Sequence, residues 1–317
     1  MTTKQLVLQR LQNNNSYISG QSLADELNVS RASIWKAINA LKKEGYNIDS
    51  ITNKGYKLIS DMDVLSKDEI LKSIPDYSDL VTLYTYPTVT STNTVLKDLY
   101  EKNTPEFTLV VADGQTDGRG RFGRNFYSPE KTGIYFSFLL KPSFTVTSSI
   151  KITSMTAVAV CDAIKLLTNV HPKIKWINDI FVHDHKVCGI LTEASTNFES
   201  GELNYIVIGI GINISTMDFP SDIKNTAGSL NCQVSRNELI GTIINNLIHM
   251  YNNFSDESYV KKYKDYSLMI NKEICYKQNG NTFTGTVISI NDNCELVVKD
   301  SNGSIITLNS GDITCKL

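Results

Sequence analysis

Apolar residues in the first 60 positions recur at helical spacing three times. Leu6, Val7 and Leu11 mark one face, "SLADELN" is a second short run, and Ile34, Ile38 and Leu41 fall at i, i+4 and i+7 of a third. Only "NVS" separates the second from the third, which leaves room for a tight turn and nothing more. Two strand-like runs then follow, "NIDSIT" and "YKLIS", around a turn that contains Gly55. Helix, helix–turn–helix and β-ribbon together predict a winged helix-turn-helix over residues 1–60, whose third helix enters a DNA major groove. The polar stretch "SDMDVLSKDE" reads as a hinge.

From residue 67 to 269 strand patterns such as "LVTLYTY", "FTLVVAD", "IYFSFLL" and "NYIVIGIGI" are interleaved with helices, which predicts a mixed α/β domain. Ile150 to Thr168 is apolar nearly all round and therefore a buried helix, while Leu239, Ile243, Leu247 and Tyr251 form one face of another. Residues 270–317 change character again. Short strands "EICYK", "FTGTVISI", "ELVVK" and "IITLN" are separated by hairpin turn signals, predicting a small SH3-like β-barrel. The whole is an α+β chain of three domains.

Charge sharpens this division. The chain of 317 residues has a formal net charge of -2, yet residues 1–60 hold eight lysines and arginines against four acidic residues. A basic head on an acidic body points to nucleic acid as the partner of the head alone. Arg31, Ser33, Lys36, Asn39 and Lys43 lie off the apolar stripe of the third helix, and Lys54 and Lys57 lie on the wing; all seven are candidate DNA contacts. The six cysteines are scattered without a CxxC pair, and no signal-like or long apolar run occurs, so the expectation is a cytoplasmic protein with reduced thiols and no membrane contact.

The chemistry concentrates in four stretches. "DGRGRFGR", residues 117–124, combines glycines, which admit unusual backbone angles, with arginines, whose planar forks suit carboxylate and phosphate, and so reads as an anion cradle. Its GxGxxG spacing is not a dinucleotide fingerprint, because Pro129 and Gly133 interrupt the segment and a strand follows where a helix is required. "KIKWINDIFVHDHKVCGILTE", residues 173–193, places Asp179 and Lys186 near the ends of neighbouring strands. His183 and His185 lack a third ligand, so no metal site is expected. "GIGIN", Gly209 to Asn213, bares one face of a strand to a flat ligand or marks a simple bulge, and in "TSTNT" Ser91 and Thr92 are either helix caps, ligand contacts or both.

Together these residues resemble the bifunctional biotin protein ligases that also act as biotin operon repressors. The resemblance runs the length of the chain through "STN", "GRGRFGR", "KWINDI", "KVCGIL", "GIGIN" and "SGDITCKL". It implies two half-reactions: biotin and ATP, with Mg²⁺, give biotinyl-adenylate and pyrophosphate, and a lysine of a biotin carboxyl carrier protein then takes the biotin. It further implies that Arg119 and Arg121 close over biotin and adenylate, Arg124 meets phosphate, Lys186 bridges the biotin carboxylate and the α-phosphate, and Asp179 orients or deprotonates the incoming lysine or has a metal-linked role. Ser91, Thr92, Asn93 and Gln115 would hydrogen-bond biotin, with Gly118, Gly189, Leu191 and Gly211 around it. Phe126, Asn178 and Asn213 would meet the nucleotide. Operator DNA and a ligand-promoted homodimer are the partners implied. Three positions depart from the family pattern: Ile177 stands where proline is usual, which should loosen the turn carrying Asp179; Phe126 replaces tryptophan; and Asp117 adds a negative charge to the cradle. A sensor alone would not need Lys186 or Asp179, and a ligase alone would not need the basic head; the chain has both.

Overall fold

The computed structural model describes residues 1–14, 16–43, 46–52, 54–60, 64–142, 149–196, 203–278, 281–311 and 313–315. It divides into two compact units, Met1–Val64 and Leu65–Leu317. The hinge expected at "SDMDVLSKDE" falls partly on residues 61–63, outside the described ones.

In the first unit, helices α1 (Thr3–Gln12), α2 (Gly20–Glu26) and α3 (Arg31–Lys43) precede a hairpin of β1 (Asn47–Ile51) and β2 (Gly55–Ser60). Local chemistry starts each of the first two helices: Thr2 and Gln5 form a reciprocal capping box on α1, and the Ser19 side chain accepts from Ser22 N on α2. Val7, Leu11, Leu23, Ile34, Ile38 and Leu41, the apolar stripes of all three helices, close one core with Ile48 of the hairpin. Gly55, at φ +108°, lies against the Ile18 carbonyl where a Cβ would overlap, and Ile18 and Tyr56 exchange two backbone hydrogen bonds of 2.9 Å. Those bonds tie the wing to the segment before α2.

The second unit is built on a seven-stranded sheet. Its strands are β3 (Thr82–Val89), β4 (Thr108–Gln115), β5 (Gly133–Leu140), β6 (Lys173–Lys175), β7 (Asp179–Val182), β8 (His185–Thr196) and β9 (Leu203–Asn213), in the order β3-β4-β5-β9-β8-β7-β6. Among the described residues, β3 and β4 are the one parallel pair of neighbouring strands in this sheet. The alternation of side chains along each strand sorts structure from chemistry. Leu109, Val111, Ile134, Phe136, Phe138, Ile208, Ile210, Cys188 and Ile190 belong to the main core, with helices α4 (Lys67–Lys72), α6 (Ser149–Leu167), α7 (Arg236–Asn252) and α8 (Ser258–Tyr266). Val110, Leu139 and Val207 belong to a smaller cluster under α5 (Thr92–Tyr100). Beyond α5 that second face carries Gly209, Gly211, Gly189, Leu191 and Asp179, residues of a cavity.

The tail strands β10 (Glu273–Gln278), β11 (Asn281–Ile290), β12 (Leu296–Asp300), β13 (Ile305–Leu308) and β14 (Ile313–Cys315) form an antiparallel sheet of order β13-β12-β11-β10-β14. Its apolar residues Ile274, Val287, Leu296 and Val298 join the same core as the seven-stranded sheet. Trp176 Nε1 donates to Cys294 O at 2.8 Å, which brings the tail to the edge of the cavity.

Candidate active site

A cavity of about 350 Å³ lies at the second face of the large sheet. Its floor is bare backbone: Gly189 and Gly211 face each other in register on β8 and β9, beside the pair Leu191 and Gly209. The Phe126 ring lies against that floor, so closely that a Cβ on Gly211 would overlap it. Phe126 also meets Tyr135 edge to face at 6.4 Å. A Cβ on Gly209 would overlap the Asn93 amide, so this glycine makes room for a protein side chain.

One wall is the start of α5. Ser91 makes no side-chain capping bond; Gln115 at the end of β4 serves there, its Oε1 accepting from Thr92 N at 2.9 Å and from Thr92 Oγ1 at 3.2 Å. Gln115 Nε2 donates to Ser128 Oγ at 2.9 Å, fixing the exit of the arginine loop. Asn93 is held at both ends, donating to Glu193 Oε2 at 2.7 Å and accepting from Ser137 Oγ. Lys97 completes this network with an ion pair to Glu193 at 2.6 Å. Burial raises the affinity of the Glu193 carboxylate for a proton, but the hydrogen bonds from Lys97 and Asn93 outweigh it and hold the group below its ordinary range.

The arginine loop folds back on itself through Gly120 N to Arg124 O (2.7 Å) and Phe126 N to Gly118 O (2.8 Å). Arg119, Arg121 and Arg124 all line the cavity, whereas Gly118 does not; it lies beneath the Phe126 carbonyl as a closing position of the loop. Arg121 Nη1 donates to Asn178 Oδ1 at 3.0 Å and Nη2 to Gly311 O of the tail at 3.4 Å. Asp117 lies 3.5 Å from Arg119 with both side chains more than half exposed, so the added charge forms a weak surface pair. Phe122 at the tip is 64% exposed at φ +58°.

The opposite wall carries the second constellation. Lys186 Nζ forms an ion pair with Asp179 Oδ1 at 2.7 Å. The Lys186 backbone is clamped by Lys186 N to Thr226 O (2.8 Å) and Gly228 N to Lys186 O (2.9 Å). The turn before β7 is firmly held, contrary to the loosening expected from Ile177. Tyr263 Oη donates to Ile177 O at 3.0 Å, Asn178 Nδ2 to Ile190 O at 2.8 Å and Ile190 N to Asn178 O at 3.0 Å. The side-chain amide of Asn178 is therefore occupied at both ends by protein. Asn213 Nδ2 donates to Gly228 O at 2.9 Å, but its buried Oδ1 accepts nothing among the described residues.

Several cavity residues escape a reading of the sequence. Lys175, Trp176 and Phe181 from residues 173–193 and Gly311 and Ile313 of the tail line it as well, within motifs that do not mark them out as contacts, and Phe219 and Ile223 do so from a segment that carries no motif of its own. Tyr127 and Phe219 meet edge to face at 6.3 Å, joining the arginine loop to the loop after β9. Among the described residues no group of three or more His, Cys, Asp or Glu side chains forms a metal site; His183 sits in a left-handed turn and His185 opens β8.

In the other unit, Arg31, Lys36 and Lys43 are exposed on α3 with Ser33 and Asn39 partly so, and Lys54 is exposed at the hairpin. Lys57 is partly buried, its ammonium 5.9 Å from the centre of the Tyr17 ring. Trp35 stands 60% exposed beside Lys36, an aromatic group on this face that periodicity alone does not single out.

A helix-turn-helix unit and an α/β unit whose glycine-floored cavity is rimmed by arginines and an Asp–Lys pair define a ligase of the carboxylate-activating kind with a DNA-binding head. Residues 85–213 match the biotin/lipoate A/B protein ligase family, residues 3–57 a helix-turn-helix domain, and residues 269–314 the biotin protein ligase C-terminal domain. The bifunctional ligase/repressor BirA of Bacillus subtilis is 33% identical over 308 residues, 94% of both chains, and that of Escherichia coli is 28% identical over 82% of this chain and 81% of its own. The biotin protein ligase of Aquifex aeolicus, solved in complex with biotin and ATP, superposes with a TM-score of 0.64 at 27% identity, covering 74% of this chain and 98% of its own. The chain belongs to the bifunctional biotin ligase/repressor family.

Proposed function

We propose that the protein joins biotin to a lysine of a biotin carboxyl carrier protein through biotinyl-5′-AMP, and represses transcription in response to biotin. The observation that carries this reading is the convergence of Arg119, Arg121, Arg124 and Lys186 on one cavity above a side-chain-free floor. Attack of a carboxylate on the α-phosphate of ATP brings two anions together, and cations already in place offset the repulsion. The planar ureido ring of biotin lies along the Gly189–Gly211 backbone once the Phe126 ring moves aside. Arg124 takes phosphate, and Mg²⁺ brought in with ATP would supply further positive charge for the departing pyrophosphate.

Lys186 leaves Asp179 to bridge the biotin carboxylate and the α-phosphate. Asp179, freed of that partner, orients or deprotonates the carrier lysine in the second step. Ser91 donates to biotin, while Thr92, Asn93, Gln115 and Asn178 position their neighbours, because their own side-chain polar groups are engaged by protein. The unpartnered Asn213 Oδ1 suits the amino group of adenine. Residues 67–269 carry the ligase chemistry with help from 270–317, and residues 1–60 bind operator DNA as a pair of heads brought together by ligand-promoted dimerisation.

Incubating the protein with biotin, MgATP and an acceptor domain, with mass spectrometry of the acceptor, tests the reaction. A biotin adduct on one lysine with release of AMP is expected; an unmodified acceptor overturns the reading.

A further inference from the structure

Lys175 has no part in the chemistry above, yet it lines the same cavity as Arg121, Arg124 and Lys186. It sits on β6 directly across from Asp179 in the β6–β7 pairing, on the face that carries the site. Asp179 nevertheless pairs with Lys186, at 2.7 Å. The Lys175 side chain is partly buried, and its ammonium lies 5.4 Å from the centre of the Phe181 ring. Among the described residues it has no carboxylate partner and makes no side-chain hydrogen bond. An aromatic face is a weak counterpart for a partly desolvated ammonium, so this charge is held ready for an anion that the protein does not supply.

The arriving anions differ in reach. A biotin carboxylate needs one bridging cation at the α-phosphate, and Lys186 provides it. The two terminal phosphates extend beyond that point and hold most of the negative charge. We propose that Lys175 binds the terminal phosphates of the nucleotide and then the pyrophosphate that leaves. The inference rests on the adenylating reaction proposed above. In that reaction a biotin carboxylate oxygen bonds to the α-phosphorus, the bond from that phosphorus to the bridging oxygen breaks, and its electron pair departs on pyrophosphate. Lys175 neither gives nor takes a proton; its fixed charge offsets the charge gathered on the leaving group. Asp179 thus divides the two lysines, engaging Lys186 until substrate draws it away and leaving Lys175 open to phosphate.

The test is ATP–pyrophosphate exchange by the full chain and its Lys175→Ala, Lys175→Gln and Lys175→Arg variants, alongside transfer from purified biotinyl-5′-AMP to an acceptor domain. Loss of a charged hydrogen bond predicts KM for ATP and for pyrophosphate raised about tenfold in the alanine and glutamine variants. Biotin affinity and transfer from the preformed adenylate should stay within about twofold, and arginine should restore most of the loss because it keeps the charge. Unchanged KM values in active variants overturn the proposal. So does impaired transfer with unchanged KM values, which would make Lys175 an acceptor contact. A wild-type protein without any exchange activity refutes the adenylating reaction itself, a different result from either.

Discussion

Gly211 has space for a ligand or for the Phe126 ring, but for no side chain of its own. Gly211→Ala should force that ring from its seat and crowd the floor. An overpacking cost of about 1–3 kcal/mol, felt at the site, corresponds to roughly tenfold or more in biotin affinity by calorimetry. Lys186→Ala acts on rate. In the proposed role its charge matters most as negative charge gathers at the α-phosphate, so adenylate formation should fall on the order of 10²-fold or more, far more than biotin binding weakens; single-turnover assays separate the two. Glu193 has a pH signature. Its proton affinity is lower in the folded state than in the unfolded chain, so its stabilising contribution is fully present above the ordinary glutamate range and is lost as pH falls through the lowered value. Acid unfolding of Glu193→Gln should lack that component, and an unchanged acid limb would remove Glu193 from the account.

At the scale of elements, the arginine loop is tethered at one residue to two distant segments, Asn178 in the turn before β7 and Gly311 before β14. Arg121→Gly removes both tethers. The mutant should release biotinyl-adenylate and label lysines of bystander proteins, read by streptavidin blotting; labelling confined to the acceptor would show that the loop is not the gate. A second tie lies deeper. Arg236, 1% exposed at the start of α7, pairs with Asp113 of β4 at 2.6 Å and donates to Gly133 O of β5 at 2.9 Å. Arg236→Met leaves Asp113 without its ion-pair partner and, among the described residues, with only the Lys131 N–H on that oxygen, and a loss of about 3–5 kcal/mol by chemical unfolding is expected. The strongly patterned elements were legible beforehand, among them α3, α6, α7 and β9. Helices α4 and α8 were not. α4 spans six residues with Ile70 as its buried anchor, and α8 nine with three buried, too few turns for a period to stand out.

At the scale of the molecule, the separation of charge is the guide. The basic head predicts that operator affinity falls steeply with salt, since the residues proposed to face DNA, Arg31, Lys36, Lys43, Lys54 and Lys57, would mostly meet phosphates. A single head offers few contacts, and two heads on a palindrome are the usual remedy, so under the proposed ligand-promoted dimerisation affinity should rise with biotinyl-adenylate. Gel-shift titrations with and without the adenylate, on the full chain and on a chain lacking residues 1–60, test both points. Operator binding that survives removal of the head, or ignores the adenylate, would refute the coupling. No helix among the described residues is long and apolar enough to cross a membrane.

What the chain determines locally is considerable. Two-residue alternation in β5, β8 and β9 assigns one face to the core, and glycines at 209 and 211 bare the other, which by spacing alone reads as a ligand floor or a simple bulge; the structure puts Gly211 opposite Gly189 in the floor and gives the space at Gly209 to Asn93. Which groups meet above that floor does not follow. Asp179 lies across from Lys175 by strand register but pairs with Lys186; Arg121 finds a carbonyl 190 positions away; and Asn93 and Gln115 spend their amides on protein. Periodicity reports only the direction in which a side chain leaves its own strand. The partner it reaches is set by sheet order, by register and by how the tail strands pack on the core, and these arise from contacts between segments far apart in the chain.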